Sequence, residues 1–568
     1  MIKHKVKDII NFTTGIMVIT VVFIVSYLAY QKFDLTADKR FTLSNQTVQL
    51  VEDLEDVVEF KIYITGKHIP TDLARVKIGI QEILEEIAEI SDNNIEFEFI
   101  DLYGTIEDKD ELHKELLRLQ KKGIRVIPFA FNNNKGEQEH INLPLGGEVF
   151  YDGKSLPISI IKNVKGGKDK TYEKAIESLE YEVSNVIRRL KNKNFKKVAI
   201  LQGHNELGRY DLQDLSVSLM EYYQVGPIYL RDQTGKEQLN ALDKIDVLII
   251  AKPKSRFSQR EQYILDQFVM NGGKTLWLMD GTNGAELDSM QQSGLIYANP
   301  LQTGLETLLY KYGVKVNTDV IEDLQCSKIP IQATANGDRG KLKLHSWIYS
   351  PVLTTKKKHL ITNNLDPIKL EFASTLDSVP SKDIKHTVLY QTSGKNRYKR
   401  TPTRIGFEET AHGLNIGLFK AKAKPVAMLL EGSFSSYFTN RIAPSFANDP
   451  NIKFRNKSKQ SKMIVISDGD IAKNWFTTKG ELIPIGKDQY TQYFFDNKKL
   501  ILNCINYLTD DKELISVRSK HIKMRLLDRK LIKENRMLIE VLNMAVPSGI
   551  IILISLIFFV IRRVKYTR

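Results

Sequence analysis

The sequence predicts an α/β protein whose folded body is carried between two membrane-spanning helices. Three observations lead there. Across 568 residues, one long run near each end has no charged side chain. Between these runs, short and continuously apolar strands alternate with amphipathic helices, the pattern of a mostly parallel sheet covered on both faces. After about Glu322 that alternation gives way to a stretch rich in Thr, Ser, Lys and short β-like runs.

The first uncharged run, Ile9–Gln31, has 23 residues. As a helix it is roughly 34 Å long, enough to cross a bilayer core of about 30 Å. Lys3, Lys5 and Lys7 precede it, as in a secretory leader, but Tyr27 stands where a cut after Ala29 requires a small residue. The run therefore reads as an uncleaved anchor. The second, Val541–Ile561, has 21 residues and is followed by Arg562, Arg563, Lys565 and Arg568. Two spans place tails 1–8 and 562–568 on one side and residues 32–540 on the other. The basic tails favour the cytosol. Arg525, Arg529, Lys530, Lys533 and Arg536 sit on the body side of the second span, so charge alone is not decisive.

Residues 32–170 form the first predicted domain. Ser44 caps a helix to Leu54, Val57–Thr65 is a strand, and Asp72–Ile90 is a helix with Leu73, Val76, Ile80, Ile83, Leu84 and Ile87 on one face. Strand Ile95–Leu102, helix Lys109–Lys122, strand Ile124–Phe129 and a hairpin over Gly146–Ile161, turned at Asp152-Gly153, follow. This order suits a thioredoxin-like domain. The loop Gly66–Pro70 lacks the paired cysteines of redox chemistry, so the likeness is architectural. An amphipathic helix, Tyr172–Leu190, is expected to link this domain to the next, over 171–195.

The second domain is expected over 196–325 and 425–515, interrupted by a β-rich insertion at 326–424. Its strands are Lys197–Gly203, Gly226–Leu230, Ile245–Ala251, Lys274–Asp280, Pro425–Glu431 and Lys462–Asp468. Its helices are Leu212–Tyr222, Asn497–Leu508, and Ser258–Asn271 with a Ser258/Glu261 capping box and a Gly272-Gly273 stop. A helical stalk over 516–540 leads into the second span at 541–561.

Formal net charge is +14. Lys and Arg are spread along the chain with no aromatic-interleaved basic stripe, which argues against nucleic acid as a partner. Cys326 and Cys504 allow either one disulfide or two buried small hydrophobes, the latter being preferred.

Chemistry is sparse. Asn271-Gly-Gly-Lys-Thr275 resembles the end of a phosphate-binding loop. However, Phe268 occupies the first glycine position, and the order is helix-to-strand where an anion needs strand-to-helix. The strand-end residues are more suggestive, because ligands of open α/β sheets sit beyond the carboxyl ends of strands. His204, Asn205 and Glu206 follow one strand, and Asp280, Asp468 and Asp470 end others. Together they are the candidate ligand pocket. The plainer reading is that strand-end loops are polar anyway, with Asp accepting from turn amides. No nucleophile elbow, His-Glu-x-x-His or strand-to-helix cysteine is present, so no catalytic residue, cofactor or metal site is assigned and the protein is not expected to be an enzyme.

Phe33-Asp-Leu-Thr-Ala-Asp-Lys-Arg-Phe-Thr-Leu-Ser44 directly after the first span, with Ile245–Pro253, Leu265–Gly273 and the two-anchor layout, resembles the GldG family. These are gliding-motility-associated, substrate-binding-like auxiliary proteins of ABC transporters in Bacteroidetes-type bacteria. The second domain is also similar to glutamine-amidotransferase-like folds without their elbow cysteine. The resemblance implies an inner-membrane protein with both termini cytoplasmic and a large periplasmic body. It implies separate ATPase and multi-span permease subunits as partners, and a scaffold or binding role in gliding and type IX secretion, with gliding-machinery components as further partners. The alternative is a periplasmic enzyme or solute receptor using the strand-end pocket.

Overall fold

The computed structural model describes residues 12–21, 23–24, 43–66, 69–92, 94–132, 138–161, 172, 175–191, 195–230, 235–332, 342–355, 359–363, 365–407, 414–439, 441, 454–509 and 535–566. It is a mixed α/β protein.

The amino-terminal part of the body is built on α1 (Asn45–Glu52), β1 (Val58–Ile62), α2 (Thr71–Ile90), β2 (Ile95–Phe99), α3 (Lys109–Lys121), β3 (Val126–Asn132), β4 (Gln138–Pro144), β5 (Gly146–Tyr151), β6 (Lys154–Ser159) and α4 (Leu179–Lys191). Ser44 accepts from the Thr47 amide at the start of α1, as its position predicts. One sheet has the order β2-β1-β5-β6, with β2 parallel to β1 and β5 and β6 antiparallel. Asp152 and Gly153, both at positive φ, make the two-residue turn between β5 and β6.

Helix α2 buries Leu73, Val76, Ile80, Leu84 and Ile87, a 3–4 spacing that keeps one face on the sheet. Each such side chain contributes about 1.5–3 kcal/mol when fully buried. Two expectations need correction. Strand β3 does not enter the main sheet; it pairs with β4, unread in the sequence, as a separate hairpin. Helix α4 is more than a link, because Leu179, Val183, Val186, Ile187 and Leu190 belong to this first core. Gly79 of α2 permits the approach: a Cβ there would lie 3.2 Å from a Leu179 methyl.

The second sheet uses β7 (Lys197–Gln202), α5 (Gln213–Met220), β8 (Gln224–Tyr229), α6 (Gly235–Leu242), β9 (Val247–Ala251), α7 (Gln259–Met270), β10 (Lys274–Leu278), β11 (Ile384–Gln391), β12 (Pro425–Ser435), β13 (Lys457–Ile466) and α8 (Asn497–Leu508). Its order is β11-β12-β13-β10-β9-β7-β8. Strands β13, β10, β9, β7 and β8 run parallel, while β12 pairs antiparallel with β13 and the edge strand β11 pairs antiparallel with β12. Both faces are covered. Val198, Ile200, Val247 and Ile249 enter one core, and Ala199, Leu201, Leu248 and Ile250 the other.

Strand β11 falls inside the segment read as insertion, yet it forms the edge of this sheet. Helix α6 is also unread in the sequence. The insertion is β-rich as expected: Cys326–Gln332 pairs with Leu342–Leu353, which pairs with Ile368–Lys369. Asp319–Asp323 pairs with Asn396–Arg400. Cys326 and Cys504 are both free thiols, so the disulfide reading is set aside.

At the carboxyl end, helix Arg536–Tyr566 contains Glu540–Val564, a stretch long and apolar enough to cross a membrane. Phe12–Val21 is a shorter apolar helix. Residues 33–42 of the polar signature, and most of the expected stalk, lie outside the described residues.

Candidate functional site

Five of the six strand-end residues gather into two clusters along one rim of the second sheet, and Asn205 stands apart. The first forms where β7 ends at Gly203, which adopts φ +124°. His204 follows and is 5% exposed. Its ring lies flat on Phe257, with centroids 3.6 Å apart and 12° between planes. Its Nε2 is 3.1 Å from Glu261 Oε1 and its Nδ1 is 3.4 Å from Glu206 Oε1.

Glu261 has a second task. It closes the capping box at the start of α7, accepting from the Ser258 amide while Ser258 Oγ accepts from the Glu261 amide. Burial works against a charged imidazole, yet the contacts to Glu206 and Glu261 win and raise the His204 pKa. Glu261 is held below its ordinary value despite its own burial, by the Ser258 hydrogen bonds and by His204. Asn205 stands outside this cluster. It is exposed, at φ +55°, and its side-chain amide donates to Ser255 Oγ at 2.8 Å.

The second cluster centres on Lys252, the residue after β9. It is 5% exposed and adopts φ +56°. Its ammonium donates to Asp470, and lies 3.6 Å from Asp280 and 3.9 Å from Glu286. Burial lowers the Lys252 pKa, but the charges of Asp280 and Asp470 outweigh it and leave the pKa raised. Gly469 makes room for the lysine stem, since a Cβ there would sit 2.5 Å from Lys252 Cγ. Its amide donates to Asp280 Oδ1 at 2.6 Å.

Asp468 is fully buried. One of its oxygens accepts from the Asp470 amide and the other from the Glu371 amide. Burial, then the charges of Asp470 and Asp280, push its pKa well up. Thus Asp280 and Asp470 meet around one lysine with Asp468 beside Asp470, whereas His204 reaches the start of α7 through Glu261 and is held on its other side by Glu206.

Beside Asp468 and Asp470 lies a cavity of about 40 Å³, also lined by Lys369, Glu371, Trp475 and Asp488. That volume admits a few waters or the tip of a ligand. Lys369 bridges Glu371 and Asp488 at 2.8 and 2.9 Å. Asp470 Oδ1 is buried with no hydrogen-bond partner among the described residues. Lys252 and Lys369 are each paired with several carboxylates. Among the described residues, no group of three or more His, Cys, Asp or Glu side chains is placed to hold a metal ion.

Lys252, Lys369 and Asp488 were not read from the sequence as rim residues, and Glu261 was read only as the partner of Ser258 in the capping box. Lys252 carried one signal: a charged residue directly after the apolar run Val247–Ala251. Gly272 and Gly273 end α7 and lead into β10, which is the wrong order for a phosphate cradle.

A family profile described as an ABC-type uncharacterized transport system matches residues 195–504, and a domain of unknown function (DUF7088) matches 37–145. An uncharacterized protein of Borreliella burgdorferi is 19% identical over 532 residues, covering 92% of this chain and 91% of that protein. Among solved structures, the mmIFT52 N-terminal domain is similar at 14% identity and TM-score 0.30, covering 55% of this chain and 97% of that one. A putative ThuA-like protein of Parabacteroides merdae is similar at 9% identity and TM-score 0.26, covering 56% and 91%.

Proposed function

Because this chain belongs to the family described as an ABC-type uncharacterized transport system, we propose that it is a non-catalytic, membrane-anchored auxiliary subunit of an ABC transporter complex. The observation that carries this reading is the family match over 195–504, which takes in nearly all of the seven-stranded sheet and its insertion. Within that stretch the one phosphate-loop-like sequence is a helix stop. The energy for transport therefore comes from a separate ATPase subunit, with a multi-span permease completing the complex.

The finer reading follows the sequence resemblance. Ile9–Gln31 and Glu540–Val564 act as two anchors with both termini in the cytosol. The body, a thioredoxin-like domain followed by an amidotransferase-like one, stands in the periplasm as a scaffold. The output is gliding motility, with a link to type IX secretion. The test is purification from native membranes in mild detergent, with mass spectrometry of what accompanies the protein. An ATPase and a permease in stable ratio are expected. Recovery of the protein alone, under conditions that keep other membrane complexes whole, would end the subunit reading.

One observation favours a second reading: the unpartnered Asp470 oxygen beside the cavity. A small polar solute held there would make the body a receptor. A screen of small polar solutes should then raise the melting temperature of the protein, and Asp470→Asn should remove the shift. No shift with any solute would leave the scaffold reading standing.

A further inference from the structure

An exposed apolar turn followed by two exposed lysines, Lys420 and Lys422, lies on the β-rich insertion. Ile416–Leu418 form a single 3₁₀ turn, capped by Asn415, whose side chain accepts from the Gly417 amide at 3.1 Å. Ile416 is 68% exposed and Leu418 55%. The next residue, Phe419, is 4% exposed and plugs the turn into the core of the insertion, with the Arg397 guanidinium 5.1 Å from its ring. The segment beyond it is pinned as well. The Ala421 amide donates to Asn396 O, Tyr398 Oη donates to Lys422 O, and the Lys424 amide donates to Thr392 Oγ1. Two large apolar side chains are thus held outward on an anchored support.

The sequence around the turn is predominantly basic. Residues 395–424 carry eight Lys and Arg against two Glu. Arg397 and Lys399 are committed to Glu322, and Lys424 to Asp377. Lys395, Arg400, Lys420 and Lys422 are exposed and have no ion-pair partner among the described residues. Lys420 and Lys422 stand at alternate positions immediately after the apolar turn. Apolar tips with cations just behind them form the arrangement that seats a protein at a bilayer surface: the tips enter the headgroup boundary while the cations meet lipid phosphates.

We propose that this turn docks the body onto an anionic phospholipid surface, with Ile416 and Leu418 entering the headgroup layer. The chain itself argues for a bilayer as the occupant. It carries Glu540–Val564, long and apolar enough to cross a membrane. A chain tethered to a bilayer by such a helix gains from even a weak contact with that bilayer wherever the tether lets it reach. Each lysine close to an anionic surface strengthens attachment by roughly fivefold.

The test uses the full-length protein in nanodiscs. Ile416→Trp places an indole at the tip, and lipids brominated near the headgroup quench it on insertion. The unsubstituted protein gives the background of the native tryptophans, and an unchanged melting temperature shows that the variant folds. Quenching is expected in discs containing phosphatidylglycerol. It should fall severalfold in pure phosphatidylcholine, at 1 M salt, and when Lys420→Glu and Lys422→Glu are added. No quenching above background in any disc overturns the proposal. So does quenching that is equal in neutral and anionic discs and indifferent to salt. Burial of the indole only when a soluble acidic protein is supplied would overturn it too, and assign the patch to that protein.

Discussion

His204 Nε2 and Glu261 Oε1 lie 3.1 Å apart, and the same glutamate carboxylate closes the capping box of α7. One side chain thus joins the loop after β7 to the start of the neighbouring helix. The pKa of His204 is raised in the fold, with burial opposing and Glu206 and Glu261 prevailing. The imidazolium therefore contributes stability that is fully present below its unfolded pKa, near 6.5, and is lost as pH rises through the folded pKa. The thermal midpoint should fall as pH is raised from 6 across that range. His204→Gln should lower the midpoint at pH 6, by roughly 1–3 kcal/mol of stability, and should flatten the pH dependence. A variant that keeps the full pH slope would show that another group titrates. Midpoints are the right readout, because a chain with several cores need not unfold in two states.

Gly273 and Phe268 provide a test of the helix stop. A Cβ on Gly273 would lie 2.5 Å from the Phe268 ring, which is buried at 1% exposure. Gly273→Ala should cost about 1–3 kcal/mol through overpacking. Combining it with Phe268→Leu should cost less than the sum of the two single changes, because the smaller side chain vacates the clash. Lys274→Ala should leave nucleotide hydrolysis by the assembled complex unchanged. Strict additivity in the stability cycle would mean that the two residues do not meet.

The sequence makes legible whatever rests on local pattern. Continuous apolar runs such as Val247–Ala251 announce central strands, and the Ser258/Glu261 spacing announces a helix start. Asp152-Gly153 announces a hairpin because both positions need positive φ. Strand β11 was hidden because an edge strand buries only part of its length: Lys385 is exposed while Leu389 and Tyr390 are buried. The rim residues were legible one by one, since loops after strands are polar. Their grouping was not. Lys252 gathers Asp280 and Asp470 from 28 and 218 positions away, and no local pattern encodes a pairing that depends on strand order.

Asp266 should be the costliest polar residue of α7 to remove. It is fully buried and accepts from Tyr312 Oη at 2.9 Å, Ser436 Oγ at 2.6 Å and the Tyr437 amide at 2.9 Å. Burial raises its pKa, and these donors act against the rise. Asp266→Ala would take the acceptor from the buried Tyr312 and Ser436 hydroxyls, from the half-buried Tyr437 amide and from Gln267 Nε2, and each buried donor left unsatisfied costs about 1–3 kcal/mol. Asp266→Asn, which keeps one acceptor oxygen, should fall between Ala and the native protein in a denaturation series. Equal midpoints for the Ala and Asn variants would show that the network matters less than the helix packing around it.

In the first core, Glu148 joins β5 to α3. Its carboxylate accepts from Arg118, Lys122 and Tyr63 Oη, and the side chain is 2% exposed. Burial would raise its pKa, but hydrogen bonds from Arg118, Lys122 and Tyr63 prevail and hold it at about 2. The sign is opposite to that of His204. A depressed carboxylate contributes stability above its unfolded pKa, near 4.5, and the contribution is lost as pH falls towards 2. Both cationic partners are well exposed, which screens the pair and keeps its share modest. Glu148→Gln should lower the thermal midpoint at pH 7 and converge with the native protein as pH falls from 4.5 to 2. Salt should narrow the gap at pH 7 only in part, because one partner of each pair is buried. A gap that stays constant down to pH 2 would mean that the glutamate acts through packing and not through its charge.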